Sequence, residues 1–241
     1  MVSKNQIKLI TSLQQKKYRK QEQLFFAEGV KVVQELLNSN FELQDLFTTK
    51  QDFLTVSKDK VHAISEAELK KISALTTPNT CLAVFKMPKS KDFVEKGLIV
   101  ALDDVRDPGN LGTIIRLCDW FGIETLFCSE ESVDIYNPKV VQATMGSISR
   151  VNVVYGNLEA FLTKTKLPVF GTFMDGKNIY QEKQPKEGII IMGNEANGIS
   201  SSVEKLVSER IAIPRFGNLQ VTESLNVATA TAIILSEFKR S

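Results

Sequence analysis

From residue 97 onward, short apolar runs alternate with stretches whose apolar positions recur every three or four residues. GLIVALDDV precedes PGNLGTIIRLCDWFG, TLFCSE precedes NPKVVQATMGSIS, and VNVVYG precedes LEAFLTKT. PVFGTFM then leads to GIIIMG, SSVEKLV, ERIAIP and a last periodic stretch from about Ser224 to Lys239. Short branched runs bounded by turn formers read as buried strands, and the longer periodic segments read as helices. Six strands alternating with helices predict a mainly parallel sheet with helices on both faces.

The first 88 residues follow another order. They read as a helix from Ser3 to about Lys16, a strand (LFFAEG), a helix (VKVVQELLNSN) and two strands (LQDLFTT and VHAIS). A helix from Glu66 to Ser73 and a strand (CLAVFKM) complete them. Ser65 with Glu68 three positions later has the spacing of a capping box. A small α/β domain over residues 1–88 follows. MPKSKDFVEKG is polar and opens with Pro88, which places a linker at 89–97 and a second domain at 98–241.

The net charge of +2 conceals an asymmetry. Residues 1–90 carry 14 Lys and Arg against 9 Asp and Glu, while residues 91–241 carry 16 against 19. The leading half is therefore the basic one. Its densest run, KKYRK, sets Lys16, Lys17, Arg19 and Lys20 around Tyr18, a pattern suited either to tracking phosphates beside one stacking face or to the solvated end of a helix. No apolar stretch approaches the ~20 residues needed to span a bilayer, and the N-terminus lacks the apolar core of a secretory signal. A cytoplasmic protein without a membrane partner is expected. Cys81, Cys118 and Cys128 are scattered without metal-ligand spacing, so buried free thiols are expected and no metal site.

The chemistry gathers in the loops that follow strands. After GLIVALDDV, Pro108 suits a first helical turn, and Gly109 and Gly112 permit close backbone approach. Asn110 and Arg116 then project from the carboxyl end of a strand, where α/β sheets keep their ligands. The spacing is not that of a dinucleotide fingerprint, and no phosphate-cradling GxxxxGK[ST] occurs, which weakens a nicotinamide-dependent oxidoreductase. GIIIMGNEANGIS and ERIAIPRFGNLQVTESLNVATATAIIL end their strands in similar loops of small and polar residues. Three such loops in one sheet can converge on one cleft.

PGNLGTIIR, MGNEANGIS and IPRFGNLQVTESLNVA together resemble the three motifs of the SpoU branch of the SPOUT superfamily, the TrmH-like RNA 2′-O-ribose methyltransferases. The leading domain resembles that family's substrate-binding domain of the ribosomal-protein L30e-like type. The resemblance spans essentially the whole chain. It implies S-adenosylmethionine as methyl donor, a deep trefoil knot in the C-terminal domain, and a homodimer with the site at or near the subunit interface. It assigns Asn110, Arg116, Glu195, Ser224 and Asn226 to the catalytic centre. Gly193, Asn194, Ile213, Leu225 and Asn226 would hold the cofactor, largely through backbone groups. The stretch between Pro214 and Ser224 is longer than the commonest family form, so family contacts from Phe216 to Thr222 carry over least directly.

Methyl transfer to a ribose hydroxyl requires that the alkoxide be stabilised as it forms. The single histidine, His62, lies in an apolar strand of the leading domain and reads as structural. Arg116 fits the task by positioning and charge, since a guanidinium is a reluctant base; water or an RNA phosphate would then take the proton. The expected substrate is ribosomal RNA, with transfer RNA and a non-catalytic RNA-binding or ribosome-assembly role left open.

Overall fold

The computed structural model describes residues 1–50, 56–89, 93–219 and 224–240. In chain order the first elements are α1 (Lys4–Ser12), α2 (Lys16–Glu22), β1 (Leu24–Glu28), α3 (Val30–Leu37), β2 (Leu43–Thr48), β3 (Val61–Ala63), α4 (Glu66–Ile72) and β4 (Cys81–Lys86). They continue as β5 (Leu98–Leu102), α5 (Pro108–Trp120), β6 (Thr125–Ser129), α6 (Pro138–Thr144), β7 (Asn152–Gly156) and α7 (Leu158–Lys164). The chain closes with β8 (Val169–Asn178), β9 (Gly188–Met192), α8 (Ser201–Glu204), β10 (Glu209–Ala212) and α9 (Val227–Lys239).

Two compact units result, one of Met1–Lys89 with Asp134–Ser149 and one of Ser90–Val133 with Arg150–Ser241. The first unit thus recruits α6 from far along the chain and packs it on β1. Part of the sequence-predicted linker, residues 90–92, lies outside the described residues.

In the first unit the strands run β1-β4-β2-β3, antiparallel except for the parallel pair β2 and β3. Alternate residues of β1 and β4 face a core shared with α1 and α4, in which Leu24, Phe26, Leu82 and Val84 meet Ile10, Leu69 and Ile72. The Ser65 capping box forms as the spacing requires: its hydroxyl accepts from the Glu68 N–H at 3.3 Å, and Glu68 accepts the Ser65 N–H at 2.9 Å. The Glu68 carboxylate also accepts the Val2 N–H, and these bonds draw its pKa down to about 2.

The single helix expected to end near Lys16 is instead two. The turn between them is held by Arg19, only 2 % exposed, whose Nη1 donates to the carbonyls of Leu13 and Gln14 at 2.8 and 2.9 Å. A helix leaves its last carbonyls without partners, and here a buried guanidinium supplies them where the chain turns into α2. The same side chain forms a salt bridge to Asp134.

The second unit is a six-stranded sheet of order β10-β8-β9-β5-β6-β7, parallel throughout. The inner strands β5, β6 and β9 are buried along their whole length because both faces are covered. Ile99, Ala101, Ile189 and Ile191 pack with Leu158, Leu162 and Val203 of α7 and α8. On the opposite face Phe170 meets Phe238 of α9 edge-on, with ring centroids 5.2 Å apart, and α9 packs along α5. β8 runs on to Asn178, past the expected Met174, because β10 rejoins it after a register shift at Arg210/Ile211. β5 lies between β9 and β6, the point at which successive connections leave in opposite directions, so the loops after β5 and β9 emerge side by side.

His62 stacks on Phe47 at 4.8 Å and meets Asp45 at 2.6 Å, a structural setting. All three cysteines are free and buried. Burial pushes the Cys81 thiol up to about 12 and raises those of Cys118 and Cys128 as well. Among the described residues no helix is long and apolar enough to cross a membrane, and no His, Cys, Asp and Glu gather into a metal-holding group.

Candidate active site

The site begins where β5 ends. Asp103 is 7 % exposed and accepts the Ser200 N–H at 2.7 Å, tying the β5 loop to the chain beyond β9. Asp104 turns the backbone through the left-handed region, at φ 59°. Its carbonyl accepts the Asn194 side-chain amide at 2.6 Å, and its N–H donates to Ser129 at 3.0 Å. Asp107 then caps α5, accepting the Asn110 N–H at 2.7 Å, with Pro108 in the first turn. Asp before Pro is a helix-start signature, so this role was readable from the sequence although the motif reading passed over it.

The loop after β9 closes on itself through paired backbone bonds of 2.9 Å between Asn194 and Gly198. A Cβ at Gly193 would lie 2.3 Å from the Gly198 carbonyl carbon, so only glycine lets these backbones meet. The Asn194 side chain is spent within this architecture, since Oδ1 accepts the N–H groups of Ala196 and Asn197 while Nδ2 serves Asp104.

Glu195 extends from that loop to the start of α5. One carboxylate oxygen accepts the Asn110 side-chain amide at 3.0 Å and the Asp107 N–H at 3.1 Å, and the other accepts the Arg106 N–H at 3.3 Å. Burial works against this carboxylate, but the donors outweigh it and hold it below the ordinary carboxylate range. Asn110 in turn accepts from Asn226 Nδ2 at 2.9 Å. Asn226 caps α9, its Oδ1 accepting the N–H groups of Ala228 and Thr229 at 3.0 and 3.2 Å. α9 therefore starts at Val227, behind the Asn226 cap and three residues after the Ser224 start expected from the sequence.

A cavity of ≈ 1310 Å³ opens beside this chain of side chains. Gly193, Asn194, Glu195, Ile213, Ser224, Leu225 and Asn226 all line it, with Met192, Ile211 and Val227 adding apolar wall. Tyr180 and Phe216 stack at 6.5 Å at its edge, and Phe216 is 83 % exposed. The rest of the long third loop, residues 220–223, lies outside the described residues. Asn110 and Arg116 are not among the lining residues. Arg116 is exposed on α5 and no ion pair or side-chain hydrogen bond holds it among the described residues.

Of the basic run, Lys16, Lys17 and Lys20 are exposed. Arg19 is not: its buried guanidinium is engaged by Asp134 and two carbonyls. Arg106, passed over in the motif reading, is exposed on the β5 loop and paired with Asp104 at 2.7 Å.

Residues 97–236 match the family described as the SpoU rRNA Methylase family. The chain belongs to that family. Residues 4–83 of this SpoU methylase match the MRM3-like substrate binding domain. Among its relatives is the 23S rRNA (guanosine(2553)-2′-O)-methyltransferase RlmP of Bacillus subtilis (strain 168), 29 % identical, with 97 % of this chain and 96 % of that one covered. Among solved structures, an RNA methyltransferase of the TrmH family from Porphyromonas gingivalis, described as putative, is 40 % identical at a TM-score of 0.90, covering 100 % of this chain and 99 % of that one. An AdoMet-bound rRNA methyltransferase from Sinorhizobium meliloti is 29 % identical at a TM-score of 0.87, covering 100 % and 97 %.

Proposed function

We propose that this SpoU methylase is an RNA 2′-O-ribose methyltransferase that uses S-adenosylmethionine and acts on ribosomal RNA in the cytoplasm. The observation that carries the reading is the hydrogen-bonded series Glu195, Asn110, Asn226, which joins all three motif loops at the wall of one large cavity while leaving Arg116 unengaged.

The cavity suits an adenosine joined to an amino acid: Ile211, Ile213 and Leu225 offer apolar wall for a flat base, and Glu195, Ser224 and Asn226 offer polar groups beside it. Gly193, Ile213 and Leu225 would hold the cofactor through backbone groups and apolar contact. When bound, S-adenosylmethionine supplies a methyl group on a positively charged sulfur. What the chain must add is a reactive ribose oxygen. Arg116, a fixed cation with up to five N–H donors, would orient the 2′-hydroxyl and stabilise negative charge as it develops there. Asn110 would hold the start of α5, and with it Arg116, in register with Glu195. The proton would pass to water or to an RNA phosphate.

In this reading residues 1–88 recruit RNA through Lys16, Lys17 and Lys20, residues 89–97 connect, and residues 98–241 carry the chemistry and the trefoil knot implied by the family resemblance. The working form is a homodimer. Arg116 and Trp120 stand one helical turn apart on α5, and Trp120 is 83 % exposed, a large apolar surface that a second copy would cover.

The test is methyl transfer from radiolabelled S-adenosylmethionine to ribosomal RNA of a strain lacking the gene. The wild-type chain should label it. Arg116→Ala should lower the rate ~10²–10³-fold, the scale set by losing one charge-stabilising donor, with cofactor affinity unchanged. Absence of cofactor binding and of label would sink the proposal.

A further inference from the structure

The first unit contains a second cavity, of ≈ 220 Å³, between the edge strand β1, the turn after α4 and helix α6. It is smaller than the ~300–1,000 Å³ of a drug-sized ligand site. Its walls are mainly apolar, with Phe26, Leu75, Pro138 and Ala143 among them. Three side chains interrupt that surface. Glu28 is 4 % exposed, and its two oxygens accept the Ala74 N–H at 2.8 Å and the Ser73 hydroxyl. Each carboxylate oxygen keeps a further lone pair. Burial raises the Glu28 pKa, with the two hydrogen bonds drawing it partly back. Gln142 lines the cavity with its side-chain amide unengaged among the described residues, and Lys139 is exposed beside it.

A slot with apolar walls, a buried acceptor, a free amide and a neighbouring cation matches one unpaired nucleotide. The walls suit the faces of a base, the carboxylate suits adjacent N–H donors, and the ammonium suits the phosphate. Guanine is the base whose pairing edge presents two neighbouring N–H donors, with O6 next to them for the Gln142 amide. Adenine and cytosine would set a ring acceptor against the carboxylate, and uracil would flank its one donor with carbonyls. Sequence-specific RNA recognition ordinarily targets bases splayed out in this way.

We infer that this cavity receives an unpaired guanine of the RNA substrate, at a nucleotide other than the one methylated. The inference rests on the methyltransferase reading, because it takes the ligand to be RNA.

The test uses the full chain with saturating S-adenosylmethionine, so that the large cavity is occupied, and two fluorescein-labelled oligouridylates carrying either guanine or adenine at one central position. The guanine oligomer should bind about tenfold more tightly, as expected for about one well-made charge-assisted hydrogen bond. Ala143→Leu, which fills the cavity from a partly exposed helix position, should erase that preference while leaving the melting temperature and S-adenosylmethionine affinity unchanged. Gln142→Ala is the second variant and should reduce the preference severalfold. Equal binding of the two oligomers, or a preference that survives both variants, overturns the proposal. So does a site that takes free guanosine monophosphate while showing no preference in RNA. Loss of cofactor binding and methyl transfer by the wild-type chain would instead strike the parent reading.

Discussion

Asn226 and Asn110, 116 positions apart, share a hydrogen bond of 2.9 Å in which Asn226 donates its amide. The carbonyl of the same Asn226 side chain caps α9. One residue thus fixes a helix start and ties it to the start of another helix. Asn110 passes the link on to Glu195, so the three motif loops are coupled by side-chain amides with few alternative arrangements.

The two halves of Asn226 can be separated. Asn226→Asp keeps the capping oxygen but presents an acceptor to the Asn110 carbonyl, whereas Asn226→Ala removes both functions. The aspartate variant should retain the wild-type melting temperature yet lose methyl transfer ~10–100-fold, the equivalent of about one to two lost hydrogen bonds. The alanine variant should also lose ~1 kcal/mol of stability with the cap. Thermal unfolding and single-turnover methylation measured together check the split; equal melting points for all three proteins would refute it.

Glu195 sets an acid limb. Its folded pKa is depressed, so its contribution to stability is present above the unfolded carboxylate value of about 4.3 and is lost as pH falls through the lower folded value. Urea midpoints of the wild-type chain should therefore fall on acidification in that window. In Glu195→Gln the fall should be shallower, since the amide does not titrate. Parallel curves for the two proteins would contradict the assignment.

The inner strands β5, β6 and β9 were legible because burial on both faces forces a continuous apolar run, and α5 was legible from Pro108 and its following glycines. α2 was not, because the turn after α1 is held by a buried arginine, and an arginine in a basic run looks solvated until Asp134 is placed beside it. The excursion of α6 into the first unit was equally hidden: a short amphipathic helix shows the same pattern whichever sheet it covers. At the site, the motifs supplied Asn110, Glu195 and Asn226, but their hydrogen bonds link residues 85 and 116 positions apart, and spacing alone cannot specify which polar group meets which.

Arg19 and its lysine neighbours should behave oppositely. Removing one member of a buried ion pair costs ~3–5 kcal/mol, so Arg19→Ala should destabilise the first unit by that order. Lys16, Lys17 and Lys20 are exposed, and replacing all three by alanine should leave the melting temperature within about 2 °C. The triple variant should bind RNA more weakly and with a shallower salt dependence, by ~2 in the slope of log affinity against log salt for single-stranded RNA. A salt slope that does not change would remove these lysines from the RNA surface.

The unengaged Arg116 leads to the last prediction. It lies outside the cavity lining, on an exposed helical face with Trp120, a placement suited to service across a dimer interface. If each site takes its cavity from one copy and its arginine from the other, two inactive variants can complement. Co-expressing Arg116→Ala with Ile213→Trp, which fills the cavity without touching the Asn226, Asn110, Glu195 series, in equal amounts gives mixed dimers for about half the population by random pairing. Each mixed dimer has one intact site, so about a quarter of the wild-type activity should return. Arginine and cavity working within one copy would leave every site defective, and no activity would return. Trp120→Glu should separate the copies and abolish methylation in the otherwise intact chain, measured by sedimentation and radiolabel together. A fully active monomer would rule out the shared site.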